Sequence, residues 1–533
     1  MKIYKAALCL AASVLIASCA VPEAPEFVAG HDIEVGPAGG IEKFSVSSPD
    51  NWVAICQEPW ITVSPANGKG SAECKVMVDS SLLFETREGK VFIENVNTKE
   101  RQEFVVSQKG FDYSISLEDK EISLAQFAPI DNRKFNVVVN SNIDFDVVIP
   151  ADAENWLSYT KSPLVLDRGA RPRGTNIKFE WKVNSKPEKR MADISFKPKK
   201  SVELAKNDVL KVVQGAAQKI EPGTVEGDSL ALLAISRGLG VWAEYKTAER
   251  MSLWDNVEVW KEGPNKGRVK YVQFSFFTCK EGIPYEIRYL TAADEISIYG
   301  NTNAFLRSLD TGESIGELTN LRKLTIGGYG LTTLNPAMTK LKNLEYLNLT
   351  GNNFQTVPDI LCQENFPSLT ALVLNGNQRS FVPDMSNGSG AQLGGFADEK
   401  TFPIKLLEWS NLDTLRLSVN YFSGELPDMA SHEKWTAEEV HACDTLPEIL
   451  IGLPKVLPNA DMFTLNLNRM SGKLPDWLLY HPKLDLWMPF SLVFEQEGRD
   501  AEGRKAGFSN EPVNLDYYYA EYTNKKYNPD NKE

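Results

Sequence analysis

Four histidines are scattered along the chain, at His31, His432, His441 and His481. A zinc-hydrolase helix needs two His four positions apart, with Glu after the first, so that both rings reach one ion. His432–Glu433 opens such a motif, but the next His is at 441, at the wrong helical distance. No Cys-x-x-Cys, Walker A run, Gly-x-Ser-x-Gly elbow or Rossmann glycine fingerprint occurs. The loop Asn387-Gly388-Ser389-Gly390 reads as flexible rather than phosphate-cradling. Carboxylates are abundant, at 71, so pairs at glycosidase spacing arise by chance and specify nothing. These residues predict no enzyme, no metal site and no cofactor.

What does recur is hydrogen-bonding chemistry at regular intervals. Between residues 269 and 468 one pattern repeats: apolar, two spacers, apolar, one spacer, apolar, then often Asn three residues later. Leu344, Leu347, Leu349, Asn352 is the clearest copy; Leu369, Leu372, Leu374, Asn377 and Leu412, Leu415, Leu417, Asn420 are others. On a strand, alternate side chains share a face. The positions flanking the second apolar residue therefore predict a ligand-binding face: Gln273, Ser275, Ser297, Tyr299, Lys323, Thr325, Asn348, Thr350, Val373, Asn375, Arg416, Ser418, Asn466 and Asn468. It is polar, nearly uncharged and rich in Asn, Ser and Thr. Such groups suit glycan hydroxyls or a polar protein surface, not a polyanion. Tyr299 is its one aromatic, which tilts the reading toward a protein partner.

The elements that must carry this face are short strands, one per repeat. Repeats of about 20 to 29 residues built this way stack in one dimension into a solenoid of parallel strands. The strand anchors read as Val272, Ile296, Leu324, Leu347, Leu372, Leu415 and Leu465, with steps of 24, 28, 23, 25, 43 and 50. The last two steps exceed one unit. Gln378 to Lys405, rich in Gly and Ser, reads as an insertion, and His432 to Pro458 as either a helical insertion or a degenerate unit. The Asn position is Tyr329 in the Leu324 unit and Met470 in the last, which is also two residues short before its Ser-Gly. A buried Asn there satisfies turn backbone, so its loss requires another partner.

Phe422-Ser423-Gly424-Glu425-Leu426-Pro427, Met470-Ser471-Gly472-Lys473-Leu474-Pro475 and the earlier Gly282-Ile283-Pro284 resemble plant-type leucine-rich repeats. That resemblance implies a parallel-strand arc over 269–486 with an N-terminal cap over 228–268, where Asp228 reads as a helix N-cap. Residues 487–533 read as a C-terminal cap and polar tail, whose cluster Tyr517, Tyr518, Tyr519 and Tyr522 either caps the last repeat or binds a ligand.

Residues 30–110 read as short strands separated by turns, an all-β sandwich. The run Trp60-Ile61-Thr62-Val63-Ser64-Pro65, the turn Asn67-Gly68-Lys69-Gly70, Arg87 and the exit Gln108-Lys109-Gly110 resemble the BACON domain of Bacteroidetes extracellular proteins. The resemblance implies an immunoglobulin-like fold, proposed in that family to bind carbohydrate and in many members looking like a spacer. Residues 111–216 repeat the plan: Trp156 parallels Trp60, Gln214 parallels Gln108, and Phe135–Ser141 parallels Phe44–Ser48. Trp60 and Trp156 read as core residues or, alternatively, sugar-stacking platforms. Residues 217–227 read as a linker, broken by Pro222, Gly223 and Gly227.

Residues 1–18 carry Lys2 and Lys5 before an apolar run, the layout of a secretory signal peptide. The stretch Ile16-Ala17-Ser18-Cys19 resembles a bacterial lipobox, which implies cleavage before Cys19 and lipidation there, with 19–29 as a tether. Glu23 and Glu26 weakly resemble surface-export signals, so the expected location is lipid-anchored in the outer membrane, surface-exposed rather than periplasmic. The net charge of −14, two units more negative without Lys2 and Lys5, excludes a nucleic-acid partner. After Cys9 and Cys19, five scattered cysteines remain, with Cys56 and Cys74 either paired or buried as free thiols. The expected function is non-enzymatic binding or adhesion to a protein or glycan, the alternatives being a glycan-binding accessory of a polysaccharide-utilisation system and a structural spacer.

Overall fold

The computed structural model describes residues 26–161, 170–241, 249–277, 281–300, 309–377, 382–383, 390–391, 402–420, 422–465, 468–470 and 474–484. The expected signal peptide, Cys19, Trp242, Cys279, Asn466 and the tyrosine cluster lie outside them. The chain divides into two compact units: segments 126–132 and 184–188 group with residues from 216 onward, and the other residues up to 215 form the first unit.

The first unit holds two β-sandwiches that share an eight-strand topology, with Asn67–Lys69 added in the first and Lys206–Asn207, paired with Ser114–Leu117, added in the second. In the first, Val28–Ala29, Gly40–Ser47, Ala72–Val78 and Ile61–Ser64 form one sheet in that spatial order. The other sheet runs Ile33–Val35, Arg101–Gln108, Arg87–Asn95, Asn51–Cys56 and Asn67–Lys69. In the second sandwich the corresponding orders are Ser114–Leu117, Lys134–Ser141, Arg173–Trp181, Leu157–Lys161, and Glu121–Leu124, Leu210–Gln214, Arg190–Pro198, Phe145–Val148. In both, the second-listed strand of one sheet pairs in parallel with its edge partner, Ile33 with Val106 and Ile122 with Val212. Strict alternation, as in Arg173–Trp181 with Thr175, Ile177, Phe179 and Trp181 buried, sends one side of each strand to the core. Cys56 and Cys74 are free thiols on opposite sheets.

The second unit opens with a helix, Val225–Leu239, three residues earlier than the sequence suggests. Its N-cap is Thr224, whose hydroxyl accepts from the Gly227 N–H, so Asp228 is not the cap. Asp228 is instead buried inside the first turn and grips Arg268 through two hydrogen bonds of 3.1 and 2.7 Å. It also accepts from the Val269 N–H at 2.9 Å, fixing the start of the first long strand.

That strand, Val269–Phe277, begins a run in which each strand pairs in parallel with the next: Glu295–Gly300, Lys323–Gly327, Tyr346–Asn348, Ala371–Val373, Thr414–Arg416 and Met462–Thr464. Val257–Val259 closes the first edge antiparallel. Ile296, Leu324, Leu347, Leu372 and Leu415 stand in register on adjacent strands, all fully buried. The residue that continues the row is Phe463, not Leu465. The repeated Leu-x-Leu of 465–467 mimics an anchor two residues too late. With Phe463 as anchor the last unit is not shortened.

Thr414–Arg416 and Met462–Thr464 are direct neighbours, so residues between them add no strand to the sheet. Among them, residues 430–458 form a helical excursion with Ala437–His441 under a Thr436/Glu439 capping box and a 3-10 turn at Glu448–Leu450. Of 378–405, Val382–Pro383 pairs with Gly390–Ala391, and the sheet strands on either side pair directly.

Candidate binding face

Buried asparagines tie successive coils together. Asn352 Oδ1 accepts from the Tyr329, Gly330 and Leu331 N–H groups at 3.1 Å each. Its Nδ2 donates to Ile326 and Leu349, one carbonyl in the previous coil and one in its own. Asn377 donates to Leu349 and Leu374, Asn420 to Leu374 and Leu417, and Asn468 to Leu417 and Leu465. Asn468 is therefore the ladder residue of the last unit and is buried, correcting both its assignment to the binding face and the reading of Met470 as the lost Asn. Tyr329, which replaces Asn in its unit, is fully buried and donates its hydroxyl to the Glu281 carbonyl at 3.0 Å. A second amide row lies in the loops leading into the strands. Asn320, Asn343, Asn411 and Asn459 donate to Thr291, Thr319, Pro367 and Ser410 respectively. Sequence reading missed this row, although each Asn stands just before an apolar anchor.

The sheet face opposite the leucine row carries three lines of side chains, at the positions before, after and three beyond each anchor. The line after the anchors runs Gln273, Ser297, Thr325, Asn348, Val373, Arg416 and Thr464 in strict register. Ser297, Thr325 and Val373 in it are buried, and so is Ser418 beyond it. These short side chains sit between longer ones and offer little surface, contrary to the sequence expectation for the three polar residues. Gln273, Ser275, Asn348, Thr350 and Asn375 are half-buried, while Tyr299, Lys323 and Arg416 are exposed. Asn466, expected on this face, lies outside the described residues.

The line before the anchors is Tyr271, Glu295, Lys323, Tyr346, Ala371, Thr414 and Met462, none of them buried. Only Lys323 was picked out from sequence; placing one residue on each side of every second apolar position would have found the others. This line adds Tyr271 and Tyr346 to Tyr299, so the face carries three phenol rings rather than one. The Tyr271 hydroxyl donates to Gln273 Oε1 at 2.8 Å, and Gln273 Nε2 donates to Ser275 Oγ at 2.8 Å. Asn348 Nδ2 donates to the Tyr346 hydroxyl at 3.3 Å and its Oδ1 accepts from the Thr350 hydroxyl at 2.6 Å. These chains of bonds hold the polar groups in fixed orientations. Burial, reinforced by the Glu295 carboxylate, raises the Tyr271 phenol pKa, so it stays a neutral donor. Tyr299 lies against Gly327, where an added Cβ would meet its ring at 3.2 Å.

In the sandwiches, Trp60 and Trp156 are buried and stacked under Arg87 and Arg190, whose guanidinium carbons lie 4.2 and 4.3 Å from the ring centroids. Each Arg Nε donates to a buried glutamine, Arg87 to Gln108 at 2.8 Å and Arg190 to Gln214 at 2.7 Å. Both rings are buried, and the face under the guanidinium is taken, so neither offers a surface on which a sugar could stack, against the sugar-platform alternative. Among the described residues no group of three His, Cys, Asp or Glu could hold a metal ion, and no helix is long and apolar enough to cross a membrane.

Comparison with known families matches residues 319–378 to a leucine rich repeat and residues 50–109 to BACON, described as "Putative binding domain, N-terminal". Both are binding modules, which points to a binding or adhesion role. A search of curated proteins returned no match. Among solved structures, the GH5 xyloglucanase of Bacteroides ovatus in complex with a XXXG heptasaccharide is 17% identical over 19% of this chain and 22% of its own, with a TM-score of 0.16. The BIR3–SERK2 complex from Arabidopsis thaliana is 18% identical, covering 48% of this chain and 89% of that one, with a TM-score of 0.20. The titin domains z1z2 in complex with telethonin are 9% identical over 37% and 98%, with a TM-score of 0.23. The chain spans about a fifth of the length of the xyloglucanase it matches. At these scores none of the three bears on fold or function.

Proposed function

We propose that this chain is a non-enzymatic binding lipoprotein of a Bacteroidetes-like bacterium, anchored through lipid on Cys19 in the outer membrane and displayed at the cell surface. Its two sandwiches act as a stalk, and its leucine-rich repeats form a solenoid that offers a concave face to a protein or glycan ligand. The observation that carries this reading is the set of in-register lines of mostly uncharged side chains, Tyr271 and Tyr346 among them and only Glu295, Lys323 and Arg416 charged, on one face of seven parallel strands. Their hydrogen bonds to one another pre-orient donors and acceptors, which lowers the entropy cost of binding.

A screen of the immobilised chain against extracellular proteins and a glycan array supplies the ligand. The variant Asn348→Arg, Thr350→Lys, Asn375→Arg is then expected to lower its affinity by at least about tenfold, the effect of about 1.4 kcal/mol. Unchanged capture by the folded variant would move the site off this face.

Tyr271, Tyr299 and Tyr346 favour one second reading, a glycan-binding accessory of a polysaccharide-utilisation system, because phenol rings stack on the apolar faces of sugars. Affinity gel electrophoresis separates the readings: retardation by a polysaccharide, abolished by Tyr299→Ala with Tyr346→Ala, supports the glycan. Migration unaffected by every polysaccharide tried supports the protein partner.

A further inference from the structure

We propose that a cavity between the 430–458 excursion and the loops leading into the neighbouring strands binds a neutral saccharide. The site is distinct from the sheet face and stands independently of the function proposed for it. The cavity measures about 720 Å³, within the range of about 300–1,000 Å³ usual for small-ligand sites. None of the residues in the three lines of the sheet face lines it.

The excursion contributes Trp435 and His432; the strand-leading loops contribute Gln363, Glu408 and Trp409. Trp435 is half-buried, which leaves part of an indole for the C–H face of a pyranose ring. The polar groups around it are a mixed set of donors and acceptors. The Glu408 carboxylate is exposed and makes no ion pair among the described residues. Gln363 uses its oxygen to accept from the Ser410 N–H and hydroxyl, at 2.7 and 3.0 Å, which fixes the amide and directs its NH2 donor elsewhere. Trp409 is almost wholly buried, yet its indole N–H has no acceptor among the described residues.

Charge selects against an anion. The lining carries three carboxylates, Glu364, Glu408 and Glu433, against Lys455 and Lys483. The Lys455 ammonium is already engaged by Glu439 and lies 5.1 Å above the Trp435 ring. A peptide strand finds no template here, since Lys434 and Pro454 already bridge the two arms of the excursion. Hydroxyls, which both donate and accept, fit what remains.

Cys443 offers a readout because its exposed thiol lines the same cavity. Alkylation of the full chain is followed at Cys443 by peptide mass mapping, with the buried Cys74 as internal control. The probes are cellotetraose, xylotetraose, maltotetraose and N-acetylchitotetraose at millimolar concentration, with inorganic phosphate as the anionic probe. At least one sugar is expected to slow labelling of Cys443, and Glu408→Gln is expected to weaken that protection about tenfold, as loss of a charged hydrogen-bond acceptor does. Trp435→Ala is expected to abolish it, while the Asn348, Thr350 and Asn375 variant leaves it intact. No protection by any sugar, protection by phosphate alone, or protection insensitive to both cavity variants would each overturn the proposal.

Discussion

Two single residues govern the repeat region out of proportion to their size. His481 is buried, with its Nε2 hydrogen-bonded to the Leu457 carbonyl at 3.0 Å. Its Nδ1 accepts from the Lys483 and Leu484 N–H groups, so the ring is neutral with its proton on Nε2. Burial lowers its pKa to about 4, and the Lys483 charge opposes protonation further while Asp461 favours it. An unfolded His titrates near 6.5, so between that pH and about 4 the unfolded chain binds a proton that the folded one refuses. The stabilisation is complete above about pH 6.5 and is lost as pH falls through the window, on the order of 3 kcal/mol in all. Denaturant midpoints of the repeat transition are expected to drop between about pH 7 and about pH 4, and His481→Gln is expected to flatten that dependence. Asn352 is the second residue. Asn352→Leu strips partners from three N–H groups and two carbonyls, and the expected loss is at least about 3 kcal/mol. A melting curve little changed from the parent would show that the turns find other partners.

At the scale of elements, each sandwich is closed by the same device: an arginine stacked on a tryptophan and held by a glutamine from the last strand. Gln108 Nε2 reaches the Asp79 carbonyl at 2.9 Å, and Gln214 Nε2 reaches Lys182 and Ala125 at 3.1 and 3.2 Å. Burial lowers the Arg190 pKa to about 10, and the guanidinium is still a cation at neutral pH. Gln214→Leu is expected to destabilise the second sandwich by about 2–3 kcal/mol, read as a lower midpoint in the unfolding of the first unit. The tryptophans and glutamines of this device were legible in sequence because their spacing to the strand ends recurs. Arg190 was not, because loops of different length separate it from its partners. At the start of the repeats, Asp228→Ala leaves Arg268 buried without its carboxylate. The expected cost is about 3–5 kcal/mol, whereas replacing both by apolar residues of similar volume is expected to cost far less. Sequence placed Asp228 correctly at a helix start but gave it the capping role that Thr224 fills, since either residue type can cap and only the chain path separates them.

For the molecule as a whole, the alternation of anchors made the parallel sheet readable over Ile296 to Leu415, where each unit has one unambiguous pair of Leu or Ile two residues apart. It failed at the end because Phe463 is an aromatic anchor followed by two leucines that imitate one. The binding face was legible in the lines after and three beyond the anchors, while the line before them, Lys323 apart, was missed. Burial of Ser297, Thr325 and Ser418 depends on the height of neighbouring side chains, which a one-dimensional pattern does not contain. The cavity was still less accessible to sequence, because its walls come from segments far apart in the chain. Anchoring is testable at this scale. Cys19→Ala is expected to release the chain from the membrane fraction, and protease treatment of whole cells is expected to remove the parent's repeats. Protection of the repeats in intact cells would place the chain on the periplasmic side.

Because Thr414–Arg416 docks directly on Met462–Thr464, and the repeat core takes Leu417, Phe422, Leu426 and Met429 before residue 430 and resumes at Val456, the stretch 430–455 is a passenger on the scaffold rather than a member of it. Natural variation can lengthen, shorten or replace such a passenger while the leucines and asparagines beneath it keep their neighbours. A ligand site carried on this stretch would therefore be replaceable without disturbing the framework that holds it.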